Sequence, residues 1–303
     1  MDSYDIPGLQ DRFGLEGEVT FAEGPNGMPV IEISNAKSMG SIGIQGAQLL
    51  TWAPVDQALV VWLSPLAKFA PGKAPRGGVP ICWPWFGPHA TESGFPGHGF
   101  ARTAPWEVIE AAALGDGSDR LGFRLIRTEA SFTQWPHATP LEVRYTLGDA
   151  LEIELITRND TDQPLVLGEA LHTYFMVSDV RHATVVGLEG CEYLDKVDGG
   201  ARKRQEGPIT FNGETDRVYL GTTADCCIED SGLQRRIRIE KQGSRSTVVW
   251  TPWHEKAAKM GDFEEDWYLR MVCVESANAA DDVLTLAPGE EHRLWVRYSV
   301  EAM

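Results

Sequence analysis

No apolar run in this 303-residue chain approaches the roughly 18 residues that a membrane-spanning helix requires. Basic residues are scarce beside acidic ones, 27 Lys and Arg against 44 Asp and Glu, for a formal net charge of −17. Such a field repels phosphate backbones and anionic lipid surfaces, so neither nucleic acid nor membrane is an expected partner. Cysteine is sparse as well. Cys82, Cys191, Cys226, Cys227 and Cys273 show no C-x-x-C spacing, which argues against a zinc ribbon and against a disulfide framework. The adjacent pair Cys226 and Cys227 is badly placed for an ordinary bridge, and reduced thiols in a cytoplasmic protein are the expected state. The opening Met1-Asp-Ser-Tyr-Asp-Ile-Pro-Gly lacks both a basic flank and an apolar core, so a secretory signal is not expected. Repeats, low-complexity tracts and Pro/Ser-rich linkers are missing too, which excludes solenoids and propellers.

What remains is period-two alternation. Leu141-Glu-Val-Arg-Tyr-Thr-Leu147 and Leu151-Glu-Ile-Glu-Leu155 alternate apolar and polar residues around Gly148-Asp-Ala150, the pattern of a hairpin. Val19–Phe21, Val30–Ile33, Phe123–Ile126, Ile237–Ile239 and Leu294–Tyr298 behave alike. Thr247-Val-Val-Trp250 and Met271-Val-Cys-Val274 are continuously apolar, as in strands covered on both faces. No window sustains a helical stripe, and 31 Gly with 18 Pro interrupt the strands at short intervals. The expected fold is all-β: one large antiparallel β-sandwich of two sheets with few short helices, residues 1–303 forming a single domain.

Several chemical motifs fail on inspection. His254-Glu-Lys-Ala-Ala258 opens like a zincin helix but has alanine where the second histidine belongs. Gly72-Lys73-Ala74 lacks the hydroxyl residue that follows a phosphate-loop lysine. Glu169-x-x-His172 matches a di-iron element, yet it sits among Gly and β-branched residues without a second copy.

Four units survive. Residues 75–106 hold Arg76, His98 and Arg102 in a stretch of repeated Pro, Gly and large aromatics, either a packed structural loop or a rigid site rim. Two guanidiniums there suit a bidentate anion such as phosphate. In Leu171-His-Thr-Tyr-Phe175, strand parity puts His172 and Tyr174 on one face, so His172 is either a satisfied core histidine or a proton-transfer group. Glu275 shares a face with Met271 and Cys273 and terminates an apolar strand, either as a structural acceptor or as a base with a raised pKa. Asp216, in Thr215-Asp-Arg-Val-Tyr219, binds sugar hydroxyls or lies in a turn, and Trp250-Thr-Pro-Trp253 offers a stacking plane or core.

Arg76-Gly-Gly-Val-Pro, Cys82-Trp-Pro-Trp-Phe-Gly, His98-Gly-Phe-Ala-Arg102, His172-Thr-Tyr-Phe, Thr215-Asp-Arg-Val-Tyr, Trp250-Thr-Pro-Trp and Met271-Val-Cys-Val-Glu275 follow one another in order. Together they resemble the hexose-6-phosphate mutarotase (glucose-6-phosphate 1-epimerase) branch of the galactose mutarotase-like superfamily, over nearly the whole chain. The resemblance implies a sandwich with a sugar site on the concave face of one sheet, His172 as general acid and Glu275 as general base. It also implies Arg76 and Arg102 on the 6-phosphate and Asp216 on a hydroxyl, with no metal and no cofactor. The expected partner is a small sugar phosphate, and a monomer is the expected assembly. Where some members carry Gln before the loop histidine, this chain has Gly97, so that contact is absent or taken by water. Rival readings are an aldose 1-epimerase acting on unphosphorylated sugars, and a silent sugar-phosphate-binding protein that lacks proton-transfer geometry. Net charge −17 predicts no long-range steering of an anionic substrate.

Overall fold

The computed structural model describes residues 4–303, so the first three residues of the opening segment lie outside it. The alternating segments form two eight-stranded antiparallel sheets. One runs in the order Ala183–Val186, Cys226–Asp230, Arg235–Gln242, Glu291–Ala302, Ala150–Arg158, Leu141–Leu147, Asp119–Leu125, Trp106–Ala113. Its long strand Glu291–Ala302 pairs on both sides, with Arg235–Gln242 and with Ala150–Arg158. Alternation sets its two faces: Tyr145, Ile153, Leu155, Ile237, Val296 and Tyr298 point inward, fully buried. The outward face carries ion pairs such as Arg297 with Glu240.

The second sheet orders Ala201–Arg204, Glu192–Asp195, Thr215–Tyr219, Ser246–Thr251, Met271–Asn278, Glu169–Leu171 and Ile81–Cys82, with Tyr174–Met176 also pairing Met271–Asn278. Every residue of Ser246–Thr251 and Met271–Asn278 is buried, as their continuous apolar character predicts. One face meets the opposed sheet; the other lies beneath loops and a short helix. A four-stranded meander, Val19–Glu23 to Gln48–Pro54, joins this sheet through bridges at Leu49–Val79, Trp52–Val61 and Val61–Phe175. The strand Leu165–Leu167 pairs separately with Leu284–Leu286. Three short helices, Ile6–Phe13, Glu129–Gln134 and Trp253–Met260, complete the structure. Among the described residues, no helix is long and apolar enough to cross a membrane.

Between the sheets the core is rich in aromatics, with Trp52, Trp106, Phe123, Tyr145, Phe175 and Tyr298 all essentially without exposure. Each such side chain contributes about 1.5–3 kcal/mol of burial. The two tyrosine hydroxyls are satisfied: Tyr145 donates to the Ala47 carbonyl at 2.6 Å, and Tyr298 shares a 2.7 Å hydrogen bond with Thr173. The second bond ties the core to the segment that carries His172.

Candidate active site

Register builds the site. Leu171 pairs with Ser276 and Tyr174 with Cys273, which places His172 directly across from Glu275. Next along the sheet, Trp250 lies opposite Cys273 and Val248 opposite Glu275, then Asp216 opposite Trp250 and Val218 opposite Val248. Because side chains alternate with period two, all of these project from one face. His172, Glu275, Val248, Trp250, Asp216 and Val218 floor a cleft of about 760 Å³, with Cys273 buried beneath them. Leu171, Thr173 and Phe175 point the other way into the core, as parity predicts. Glu169, also on that opposite face, meets Thr157 and His292, so Glu169 and His172 do not converge and the di-iron reading fails structurally.

His172 Nδ1 stands 3.4 Å from Glu275 Oε1. Glu275 does not end its strand; the strand continues to Asn278, and the carboxyl is 1 % exposed rather than partly desolvated. The reason is that strands pair with it on both sides. Burial, then the nearby Asp216, pushes the Glu275 pKa well above the ordinary carboxylate range, against the pull of Arg102. Burial, then His98, Arg102 and Arg76, holds His172 well below an ordinary histidine. His172 Nδ1 and Glu275 Oε2 are both buried without a hydrogen-bond partner. The imidazole stacks on Tyr174, with centroids 4.9 Å apart, and meets Trp250 edge-on at 5.9 Å. Trp250 is therefore a wall of the cleft beside the histidine.

The rim comes from the Pro/Gly-rich loop. His98 and Gly99 both adopt left-handed backbone, φ 66° and 69°. A Cβ at Gly99 would fall 1.9 Å from the Trp83 carbonyl oxygen, so only glycine fits this turn. The turn presents His98, whose Nδ1 accepts from the Gly87 amide at 3.3 Å. Burial, then Arg102, lowers its pKa to about 4. The neutral ring thus carries its proton on Nε2 and is a hydrogen-bond donor.

Arg102 donates to the Gly97 carbonyl at 2.8 Å and has no carboxylate partner among the described residues. Gly97 thus holds an arginine through its backbone carbonyl. Arg76 is already engaged: its Nε donates to both oxygens of Asp262 at 3.2 and 3.1 Å, and another nitrogen donates to the Tyr174 hydroxyl at 2.9 Å. Burial works against its charge, but Tyr174 and Asp262 outweigh it and keep Arg76 cationic. Asp216 lies in a strand, not a turn, with Lys256 Nζ at 3.9 Å. Burial raises its pKa, opposed by Lys256 and Lys196.

All seven residues singled out in the sequence (Arg76, His98, Arg102, His172, Asp216, Trp250 and Glu275) line this one cleft. Sequence reasoning set Lys73 aside with the failed phosphate-loop motif and missed Lys196 and Lys256, all of which line the cleft, and missed Asp262, which anchors Arg76. Lys256 projects from the helix Trp253–Met260, the segment that failed as a zincin motif. With Lys73, Arg76, Arg102, Lys196 and Lys256 against Asp216 and Glu275, the cleft is locally basic in an acidic protein. A nitrogen, a thiol and a carboxyl also stand together: donor atoms of His172, Cys273 and Glu275 lie within 4.8 Å of one another.

On one face of the β-sandwich, then, a histidine meets a buried carboxyl in a cleft ringed by hydrogen-bond donors, an arrangement able to move protons. The family model for aldose 1-epimerase matches residues 29–299, and the chain belongs to that family of isomerases. A Salmonella typhimurium protein named "Putative glucose-6-phosphate 1-epimerase" is 40 % identical over 253 residues, 83 % of this chain and 84 % of the relative. An Escherichia coli protein of the same name is 38 % identical, over 84 % of each chain. The crystal structure of a Salmonella typhimurium protein titled as a mutarotase superposes with a TM-score of 0.89 at 35 % identity, covering 96 % of both chains.

Proposed function

We infer that this enzyme interconverts the α and β anomers of a hexose 6-phosphate, glucose 6-phosphate foremost, by acid–base ring opening and closure. The observation that carries the reading is the His172–Glu275 pair, 3.4 Å apart on the floor of a cleft that also holds the unpaired Arg102. The names of the relatives above point to the same phosphorylated sugar.

Ring opening removes a proton from the C1 hydroxyl and delivers one to the ring oxygen. Ionised Glu275 takes the first while protonated His172 gives the second. The C1–C2 bond rotates, and closure on the other aldehyde face runs both transfers backwards. One proton shared by the pair is therefore sufficient. It sits on His172 before opening and on Glu275 after, and burial of both groups favours the second, neutral arrangement. The charged pair that opens the ring is therefore the minor form on this low-dielectric floor, and the bound sugar draws it out as the reaction proceeds.

Arg102 and Arg76 take the 6-phosphate, His98 Nε2 and Asp216 take hydroxyls, and Trp250 supplies the wall. Bound phosphate fixes the far end of the sugar and limits the orientations open to C1. Five free cysteines support a reducing compartment such as the cytoplasm.

The test is anomer exchange by magnetisation-transfer NMR on glucose 6-phosphate, glucose and galactose at equal concentration. Acceleration confined to the phosphate ester is expected. Faster exchange of the free sugars refutes the phosphate roles of Arg76 and Arg102, and no exchange at all refutes the catalytic reading.

A further inference from the structure

Proton transfer leaves unused one side chain buried just beneath the cleft floor. Cys273 precedes Glu275 by two positions, shares its face, and is fully buried. Its sulfur, a His172 nitrogen and a Glu275 oxygen lie within 4.8 Å of one another, and His172 Nδ1 and Glu275 Oε2 lack any hydrogen-bond partner. We propose that His172, Cys273 and Glu275 form a binding site for a thiophilic divalent cation, Zn²⁺ being the reference, and that its occupancy reversibly blocks the enzyme.

Zn–N and Zn–O bonds of about 2.0–2.2 Å at tetrahedral angles separate the two donor atoms by about 3.4 Å. His172 Nδ1 and Glu275 Oε1 are already 3.4 Å apart. A nitrogen, a thiolate and a carboxylate select Zn²⁺ or Cd²⁺ over Mg²⁺ and Ca²⁺, which prefer all-oxygen sets. As the S–metal bond forms, the thiol proton leaves to solvent; any proton on Glu275 leaves as well. One thiolate and one carboxylate then cancel the two charges of the cation, so the occupied cluster is neutral, as a buried position demands. Three protein ligands leave a fourth position open toward the cleft, where water or a sugar hydroxyl completes the shell. The inhibitory half of the proposal rests on the acid–base reading above, because the cation would occupy both the donor and the acceptor of the proton. The binding half rests on the donor geometry alone.

The experiment titrates the full-length protein with Cd²⁺ and follows the thiolate-to-metal charge-transfer absorption, with Zn²⁺ inhibition of anomer exchange measured in parallel. The expected band saturates at one equivalent, survives Cys191→Ser and Cys227→Ser, and disappears in Cys273→Ser. The apparent Zn²⁺ affinity should fall more than about 10-fold in Cys273→Ser, since loss of even an outer-shell partner costs that much. Should that variant not fold, calorimetric Zn²⁺ titration of His172→Ala must show a comparable fall. Absence of the band in the wild-type protein, or its persistence in Cys273→Ser, overturns the site. A Cys273-dependent band that saturating glucose 6-phosphate leaves untouched overturns the inhibitory half only. Because the band is read without turnover, failure of the mutarotase reading and failure of the metal site give different results.

Discussion

Replacing Arg102 with alanine isolates the phosphate interaction more cleanly than any other change in the cleft. Arg76 is bound to Asp262 and Tyr174, so its removal strands a half-buried carboxylate and loosens the ring stacked on His172. Arg102 has only the Gly97 carbonyl, an acceptor that its loss leaves near solvent. A hydrogen bond to a charged group contributes about 1.5–3 kcal/mol. At 1.36 kcal/mol per tenfold, that is a loss of about 10- to 150-fold in kcat/KM for glucose 6-phosphate. The same variant acting on free glucose has no phosphate contact to lose, and removing a cation that depresses His172 should leave its exchange equal or faster. Comparing two enzymes on two substrates forms a cycle in which any general damage to the site cancels. Exchange rates by magnetisation-transfer NMR provide all four values. Equal losses on the two sugars would refute the assignment of Arg102 to phosphate and return it to a structural role in the loop.

Glu275→Gln and His172→Asn keep volume and remove proton transfer; each should slow exchange by about 10²–10⁴-fold while circular dichroism stays that of the wild type. A folded variant of either kind with wild-type exchange would exclude its residue from the chemistry. On the opposite face of the same sheet, burial raises the Glu169 pKa to about 8, partly offset by the hydrogen bond from Thr157. Between about pH 4.5 and 8 the unfolded chain ionises this group while the folded one keeps its proton, so stability falls as pH rises. Glu169→Gln should remove that slope, on the order of 1 kcal/mol per pH unit, in urea titrations from pH 5 to 8. Unchanged pH dependence in the variant would show that Glu169 is ionised in the native protein.

Period-two alternation made the sandwich legible because its strands bury one face, and the two continuously apolar strands are covered on both. The same parity placed His172 with Tyr174 and Glu275 with Cys273 correctly. What it could not supply was which strands are neighbours: the cross-strand position of His172 and Glu275 depends on pairing between distant segments. Glu275 looked like a strand end because Ser276, Ala277 and Asn278 follow it, and small polar residues read as a terminus. Pairing from both sides buries them instead. Lys196 and Lys256 escaped notice because each stands alone in a turn or helix, and Lys73 fell with its failed phosphate-loop motif; no local pattern marks a lysine that meets others in space. Net charge is silent about the cleft for the related reason that it averages over a surface. Five cations against two carboxyls in the cleft give a local field opposite in sign to the total.

That local field has a consequence for catalysis as well as binding. Arg102 and Arg76 are among the groups that hold His172 below its ordinary pKa, and protonated His172 is the form that opens the ring. A dianion seated on the two arginines cancels their effect on His172; it also cancels the pull of Arg102 on Glu275, but of the pair Arg76 bears on His172 alone, so the balance moves toward charged His172. The phosphate then acts on kcat and not only on KM, and it need not be attached to the sugar. Inorganic phosphate or phosphite added to the enzyme should accelerate anomer exchange of free glucose, saturably. The acceleration should vanish in Arg102→Ala and be overcome by excess glucose 6-phosphate. The acid-requiring limb of the pH–rate profile for glucose should also move to higher pH when the dianion is present, the direction set by a rising His172 pKa. Phosphite that only inhibits, or that accelerates with no movement of this limb, would separate the arginines from His172 and leave them a purely binding role.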